Sequence, residues 1–428
     1  MTSNKWTKIK LGNIAKVISG FAFKSKDFQD NGIPVVKIKN IRVGTVDLSE
    51  VDFVDPEFLS IHSKYHLRSG DILISLTGSH LTQPNSVVGR VAIFPSTFAT
   101  CLLNQRAGKI IVYDKAKCSD KFLFYSLFTE EKRHEIALMA AGAASQANIS
   151  PTQVESVEIQ IPLLSTQRKI ASILSAYDDL IENNTRRIKI LEEMAQMLYR
   201  EWFVNFRFPN HENVKIVESE LGLIPEGWEV KKLGDIASIN SLSLKVTNAP
   251  DEINYIDISS VSTGQIDKVE IIDFVNAPSR ARRIVKHGDI IWATVRPNRK
   301  SYSLILNPPN NLIVSTGFAV ITARKAPYTY LYKALTTDSF VDYLTNNATG
   351  SAYPAVNSSD FKNADIVMPD KFLLDKYHNI VVEMLQQKQN LQNKNINLRK
   401  TRDLLLPKLI SGEIDVEKLD IETLEIAA

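Results

Sequence analysis

The chain has 428 residues, 44% hydrophobic and 23% charged, which is too long for one ordinary core and points to two or more domains. A net charge of +3 is too small to argue for a nucleic-acid partner by itself, so local charge must carry any such case. Cys101 and Cys118 are the only cysteines; this excludes a disulfide framework or Cys-rich zinc site and fits a reducing, cytoplasmic setting.

The opening "MTSNKWTKIKLGNIAKV" lacks the apolar block of a signal peptide, and no apolar run is long enough to span a bilayer. From there the chain is written twice. "WTKIKLGNIA" (from Trp6) recurs as "WEVKKLGDIA" (from Trp228), and "SGDILIS" (from Ser69) as "HGDIIWA" (from His287). "GAASQANIS" (from Gly142) answers "GSAYPAVNS" (from Gly350), and "IQIPLLSTQRKIASIL" (from Ile159) answers "IVMPDKFLLDKYHNIV" (from Ile366). The matches keep their order while the offset shrinks, as loops of unequal length require.

Each copy opens with short β-rich runs punctuated by Gly, Asn, Asp and Pro, the pattern of strands joined by turns. Short helical stretches interrupt them, such as Asp120 to Ala140. Each copy closes with a long helical pattern. In the first, Ile170, Leu174, Tyr177, Ile181, Asn184, Ile188, Leu191, Ala195 and Leu198 follow heptad spacing. The uninterrupted stretch Gln167 to Phe203 is about 55 Å long at ~1.5 Å per residue. The second is expected from about Asp375 to Leu406, stopping at Pro407. Its seam is Tyr377, Val381, Met384, Lys388, Leu391, Asn395, Leu398, Arg402 and Leu405.

The fold class is therefore α+β: two pseudo-repeated mixed α/β domains separated by a pair of long antiparallel coiled-coil helices. The expected divisions are 1–160 (first domain), 161–209 (first long helix), 210–367 (second domain) and 368–428 (second long helix and acidic tail). A pseudo-two-fold would run each helix back along the other, with the domains at opposite ends and the buried Asn184, Lys388 and Asn395 fixing register. Tyr199, Trp202, Phe203 and Phe206, clustered where the first helix ends, read either as a protein-docking patch or as a domain-core contact.

Two basic clusters suggest a phosphate-binding face. Copy two carries Arg280, Arg282, Arg283, Lys286, Arg296, Arg299 and Lys300 against Asp289. Copy one carries Lys5, Lys8, Lys10, Lys16, Lys24, Lys26, Lys37, Lys39 and Arg42 against Asp27 and Asp30. Arg296, Asn298 and Arg299, and in copy one Asn104, Gln105 and Arg106, have the donor geometry for bidentate contacts to base edges. Thr77, Ser79, His80, Thr82, Gln83 and Asn85 form a polar, neutral counterpart after the first Gly-Asp-Ile strand. Tyr302 joins the DNA-facing set by position, although burial preference favours packing for it and for Trp292.

Signs of catalysis are sparse. "NPPN" (Asn307 to Asn310) resembles the motif of amino-group methyltransferases but has Asn310 where a stacking ring is needed, so it reads as a turn. There is no Gly-rich loop for S-adenosylmethionine, no Walker A loop, no Gly-x-Ser-x-Gly elbow and no metal-ligand spacing among the seven His.

Taken together, the duplicated opening, the Gly-Asp-Ile strands, the closing segments, "AQMLYREWFVNFR" and "LLLPKLISGEI" resemble the specificity subunits of Type I restriction–modification systems over essentially the whole chain. The resemblance implies a non-catalytic subunit with two target-recognition domains, each reading one half of a bipartite duplex DNA target. The helices would set the spacer and dock two modification subunits bearing the adenine-N6 methyltransferase activity. Two motor/nuclease subunits would complete a restriction enzyme for phage defence. No cofactor is implied for this chain; S-adenosylmethionine, ATP and Mg2+ belong to the partners, and no membrane is involved. The competing expectations are an interaction scaffold that does not read DNA and a stand-alone DNA methyltransferase.

Overall fold

The computed structural model describes residues 6–61, 63–79, 88–96, 100–143 and 146–420. The chain forms two compact units, residues 1–183 with 395–428, and residues 184–394. Each unit therefore combines one β-rich domain with part of both long helices.

In the first unit the opening strand Thr7–Lys10 pairs antiparallel with the closing strand Glu158–Ile161, so the domain is sealed where it begins and ends. One sheet runs in the order Ala15–Ser19, Ala107–Val112, Ile72–Ser75, Val91–Ile93, Gly44–Thr45. The other runs Phe28–Gln29, Asp52–Val54, Ile33–Val36, Cys101–Leu103, His66–Leu67, with Ile33–Val36 parallel to Cys101–Leu103. Val36, Leu73, Phe94 and Leu103 share one core cluster drawn from both sheets. Gly20 is required here: a Cβ would lie 2.2 Å from the Leu103 carbonyl oxygen.

The second unit repeats this plan. Glu229–Lys232 pairs with Asp365–Met368. One sheet runs Ala237–Ile239, Phe318–Ala323, Ile290–Ala293, Tyr302–Leu304, and the other Glu270–Asp273, Glu252–Ile256, Leu312–Ser315, Ala281–Ile284. The parallel pair recurs between Glu252–Ile256 and Leu312–Ser315. The duplication read in the sequence is thus a duplication of topology, less one short edge strand per sheet. Ile72–Ser75 and Ile290–Ala293 are buried at every residue, as a central strand covered on both faces should be. Trp292 is wholly buried, and its indole N–H donates to the Leu335 carbonyl at 3.0 Å.

The Gly-Asp shared by the two copies is a turn device. Gly70 (φ +86°) and Gly288 (φ +84°) adopt the left-handed conformation that costs glycine least. Asp71 accepts from the Arg68 backbone N–H at 2.8 Å, and Asp289 from that of Lys286 at 2.7 Å. Asp289 also accepts from Thr322 Oγ1 at 2.6 Å; its burial raises its pKa above the usual carboxylate value.

The first long helix is Leu164–Tyr199, closed by a π-helical turn at Arg200–Val204; the second is Lys371–Ile410. The helices run antiparallel within each unit. In the first, Asn395 Nδ2 donates to the Ile181 carbonyl at 3.3 Å and Arg402 pairs with Asp178, which also accepts from the Tyr125 hydroxyl at 2.6 Å. In the second, Lys388 pairs with Glu192 at 2.5 Å and Tyr377 packs on Phe203 at 4.9 Å between ring centroids. The polar seam residues of the second helix are thus partnered.

The expected stop at Pro407 is corrected: the helix continues through it to Ile410. Proline forfeits one backbone hydrogen bond, but this lies in the last turns, where Leu406 and Leu409 are buried in the first unit's core. That burial offsets the loss.

Candidate nucleic-acid interface

In both units a tip follows the Gly-Asp-Ile strand, and in both it is assembled by the same backbone contacts. In the second unit the Thr294 N–H donates to the Gly317 carbonyl at 2.9 Å, and the Thr316 N–H to the Arg280 carbonyl at 2.7 Å. The turn Ser315–Gly317 therefore places the Arg280 strand end beside the Arg296 tip. In the first unit the Leu76 N–H donates to the Arg106 carbonyl and the Ser75 N–H to the Arg90 carbonyl, both at 2.9 Å; their counterparts are the Thr294 bond and that from the Ala293 N–H to the Ser301 carbonyl, also 2.9 Å. Thr77, Arg90 and Arg106 share one rim.

A returning arm completes each tip. Gln146–Asn148 pairs antiparallel with Thr77–Gly78, and Thr77 Oγ1 donates to Asn148 Oδ1 at 2.8 Å. In the second unit Ala355 bridges both Val295 and Thr349. The Val356 N–H donates to the Thr294 carbonyl at 2.9 Å, and the Arg296 N–H to the Pro354 carbonyl at 2.7 Å. The "GAASQANIS" and "GSAYPAVNS" matches are these arms.

The side chains of the two tips differ. Pro297–Arg299 is a single 3-10 turn flanked by Arg296 (φ +52°) and Lys300 (φ +54°), both left-handed. Such a conformation in non-glycine residues is sparsely populated and gathers at functional sites. Asn298 and Arg299 are exposed. The Arg296 guanidinium lies 4.5 Å from the Tyr353 ring centroid and its Nη2 donates to the Ala352 carbonyl at 3.3 Å. Lys300 pairs with Asp338 at 2.8 Å. In the first unit Gln105 and Arg106 are exposed, whereas Asn104 is buried and turns its Oδ1 to the Arg106 backbone N–H at 3.3 Å. Ser79 is half-buried. His80, Thr82, Gln83 and Asn85 lie outside the described residues.

Several expected contacts are reassigned by their partners. Tyr302 is buried, its ring 5.0 Å from Trp292, so it packs rather than presents itself. Arg280 is held by Asp257 at 2.8 Å and donates to the Tyr255 hydroxyl at 3.3 Å; that hydroxyl and the carboxylate raise its pKa. Arg282 lies over the Phe274 ring at 5.1 Å, and Arg283 is half-buried with its Nε enclosed. In copy one Lys8 pairs with Glu158 at 2.5 Å, Lys37 and Lys39 with Asp52 at 3.0 and 3.1 Å, and Arg42 with Asp47 at 3.5 Å. Four of that cluster's cations thus have carboxylate partners, Lys37 and Lys39 sharing one. Lys24 and Lys26 remain exposed, on a 3-10 turn that Asp27 caps.

Two contributors escaped the sequence reading. Tyr353 is 68% exposed, a large aromatic offered to solvent at the tip; only the arm's folding reveals it. Arg90 joins the first tip through backbone pairing. Its burial and then the nearby Arg42 and Arg133 cations push its pKa below the usual arginine value.

The helix residues sort by their place on the expected seam. Ile170, Leu174, Ile181, Asn184, Val381 and Leu391 are buried, and Tyr177, Ile188, Leu191, Met384, Leu398 and Leu405 half-buried. All face inward along the seam and give a partner little surface. Tyr199, Trp202 and Phe203 pack in one core cluster with Trp228, Tyr330 and Tyr377, and Phe206 packs against the same cluster with Trp228 at 5.5 Å. The docking-patch expectation for these aromatics is therefore corrected to a core contact. The exposed apolar stripe is instead Ile190, Met194 and Met197, at 54%, 47% and 64% exposure. Their spacing puts them on one helix face.

Among the described residues there is no cluster of metal-ligating side chains and no helix long and apolar enough to cross a membrane.

The model of the Type I restriction modification DNA specificity domain matches residues 3–193 and again 225–398. The chain is similar to the Type I restriction enzyme MjaIX specificity subunit of Methanocaldococcus jannaschii, at 27% identity over 98% of this chain and 99% of that protein. It is similar also to the HindI specificity subunit of Haemophilus influenzae, at 23% identity over 96% and 99%. The crystal structure of the S subunit of a Type-I restriction-modification system from M. genitalium has the same fold, with TM-score 0.59 at 16% identity, covering 96% of this chain and 97% of that one. With the family's domain matched in both repeats, this chain belongs to the specificity subunits of Type I restriction–modification systems.

Proposed function

We propose that each domain reads one half of a bipartite duplex target through its tip, and that the paired helices set the unread spacer between the halves. The observation that carries this is the pair of tips: one backbone scaffold, built twice, bearing Gln105 and Arg106 in one unit and Arg296, Asn298, Arg299 and Tyr353 in the other. Two readers with different side chains on one frame are what a split, asymmetric target requires, because base contacts and not phosphate contacts carry sequence information.

The chain itself is the non-catalytic reader. Modification subunits, two to a complex, dock on the helices and bring the S-adenosylmethionine-dependent adenine-N6 methyltransferase activity. Motor/nuclease subunits using ATP and Mg2+ convert the assembly into a restriction enzyme. The exposed Ile190, Met194 and Met197 support helix docking, since such a stripe on a surface helix is suited to a partner.

The test is co-expression with the modification subunit and mapping of methylated adenines across a host genome. A split motif with constant gap is expected. An assembled complex that leaves adenines unmethylated would overturn the reading in favour of a scaffold.

A further inference from the structure

The second unit contains a cleft of about 370 Å³ between its helix pair and its β-rich domain, lined among others by Lys300, Lys333, Lys388, Gln196, Tyr332 and Thr337. That volume lies within the range of small-molecule sites. Its charges do not balance. Lys388 is matched by Glu192 at 2.5 Å and Lys300 by Asp338 at 2.8 Å. Lys333 has no such carboxylate. Its ammonium donates to the neutral Gln196 Oε1 at 3.1 Å and stands 5.8 Å from the Tyr332 ring centroid.

The cleft thus holds three cations and two acids, and the lysine without a paired acid is Lys333. Burial, and then the adjacent Lys388 cation, push the Lys333 pKa down to about 8, against the opposing pull of Glu192. A second, independent feature has the same sign. The helix Asp338–Asn347 starts at the cleft, with Thr337 as its N-cap, and a helix N-terminus carries positive potential. A half-buried cation with no acid in contact loses part of its hydration, and an incoming anion relieves that cost.

We infer that this cleft is a phosphate-binding site, in which Lys333 supplies the charge and Lys388, Lys300 and the helix start surround the anion. The phosphate has two possible sources: the DNA backbone, since Lys300 ends the tip turn and also lines the cleft, or a free phosphate-bearing ligand. The first source rests on the DNA reading proposed above; the second does not.

The test uses the full chain as wild type, Lys333→Met and the charge-preserving Lys333→Arg. Binding of a mixed-sequence duplex is followed across a salt series, and thermal melting is followed with inorganic phosphate and pyrophosphate. If a backbone phosphate occupies the cleft, Lys333→Met weakens duplex binding irrespective of sequence and lowers the salt slope by about one, the signature of one lost phosphate contact, while Lys333→Arg restores both. If the ligand is free, duplex binding is unchanged, and phosphate or pyrophosphate raises the melting temperature of wild type and Lys333→Arg but not of Lys333→Met. A Lys333→Met protein that matches wild type in both arms overturns the site. Arg299→Ala is the control for the DNA reading: if it weakens duplex binding where Lys333→Met does not, and the anions also leave melting unchanged, the cleft inference fails while the tip reading stands.

Discussion

Replacing Arg296 by glycine separates what the second tip does for folding from what it does for recognition. Arg296 sits at φ +52°, where an L-residue is disfavoured by about 1–2 kcal/mol and glycine is not. Removing the side chain forfeits its stacking on exposed Tyr353, about 0.5–1 kcal/mol at a solvent-exposed site. It also loses the exposed 3.3 Å hydrogen bond to the Ala352 carbonyl, about 0.5–1.5 kcal/mol. The backbone bond from the Arg296 N–H to the Pro354 carbonyl survives. These terms nearly cancel, so the melting temperature of Arg296→Gly should stay close to that of wild type. Recognition has no such compensation: one good bidentate base contact contributes ~1–3 kcal/mol of discrimination, roughly 5- to 150-fold. The assay is genome-wide mapping of methylated adenines with the reconstituted methyltransferase, alongside thermal melting. We expect relaxed or lost preference at one or two positions of a single half-site, with the other half-site and the gap unchanged. An unchanged motif would refute the role of Arg296 in reading, and a motif lost together with several degrees of stability would make the residue structural.

Three further outcomes follow from the geometry. Gly70→Ala and Gly288→Ala both force an L-residue into the left-handed region, but a Cβ at Gly70 meets nothing within 4 Å, whereas one at Gly288 lies 2.8 Å from Tyr328 Cδ1. That ring packs on His287 and His378, so Gly70→Ala should cost about 1 kcal/mol and Gly288→Ala distinctly more; equal shifts in melting would contradict the packing argument. Inserting one heptad beside Asn184, with a matching heptad beside Asn395, should lengthen the gap of the methylated motif and leave both half-sites intact; altered half-sites with the original gap would sink the spacer role. Lys333, which shares the cleft with Lys388, Glu192, Lys300 and Asp338 and has its pKa down at about 8, should lose its charge as pH rises from 7 to 9, so the anion affinity of the cleft should fall over that interval. The unfolded chain keeps its proton up to about the ordinary lysine value, so this group makes stability rise with pH between about 8 and 10. A pH series on wild type and Lys333→Met checks both signs.

The repeat, the paired helices and the buried Gly-Asp-Ile strands were legible because they rest on periodicity and order, which survive in a single sequence. Asn184 and Asn395 were read as seam members from spacing alone, and both are buried. The charge map was not legible. Lys8 finds Glu158, and Arg402 finds Asp178, pairings across spans that no local count of charges can anticipate. The same holds for Tyr353, which belongs to the tip only because Ala355 bridges Val295. The aromatic cluster at Trp202 and Phe203 misled for a related reason: composition marks a sticky surface, and only tertiary packing decides whether Trp228, Tyr330 and Tyr377 already cover it. Pro407 was read by its intrinsic cost, which burial of its neighbours Leu406 and Leu409 outweighs.

Why one frame can carry two different readers follows from which atoms hold the tips in place. The bonds from Leu76 to Arg106, Thr294 to Gly317, Val356 to Thr294 and Ile149 to Leu76 all join backbone N–H to backbone carbonyl. Such bonds are indifferent to side-chain identity unless a proline or a forbidden φ intervenes. Beneath them, the turn into the strand is fixed by a left-handed glycine and an aspartate cap that both copies keep. Stability is thus carried by main chain and buried strands, and the outward side chains of the rim are released from it. A substitution at Gln105, Arg106, Asn298 or Arg299, all exposed, can alter what is recognised at little cost to the fold. The exceptions are Asn104 and Thr77, whose buried side chains hydrogen-bond within the tip itself; changes there should cost stability before they change recognition.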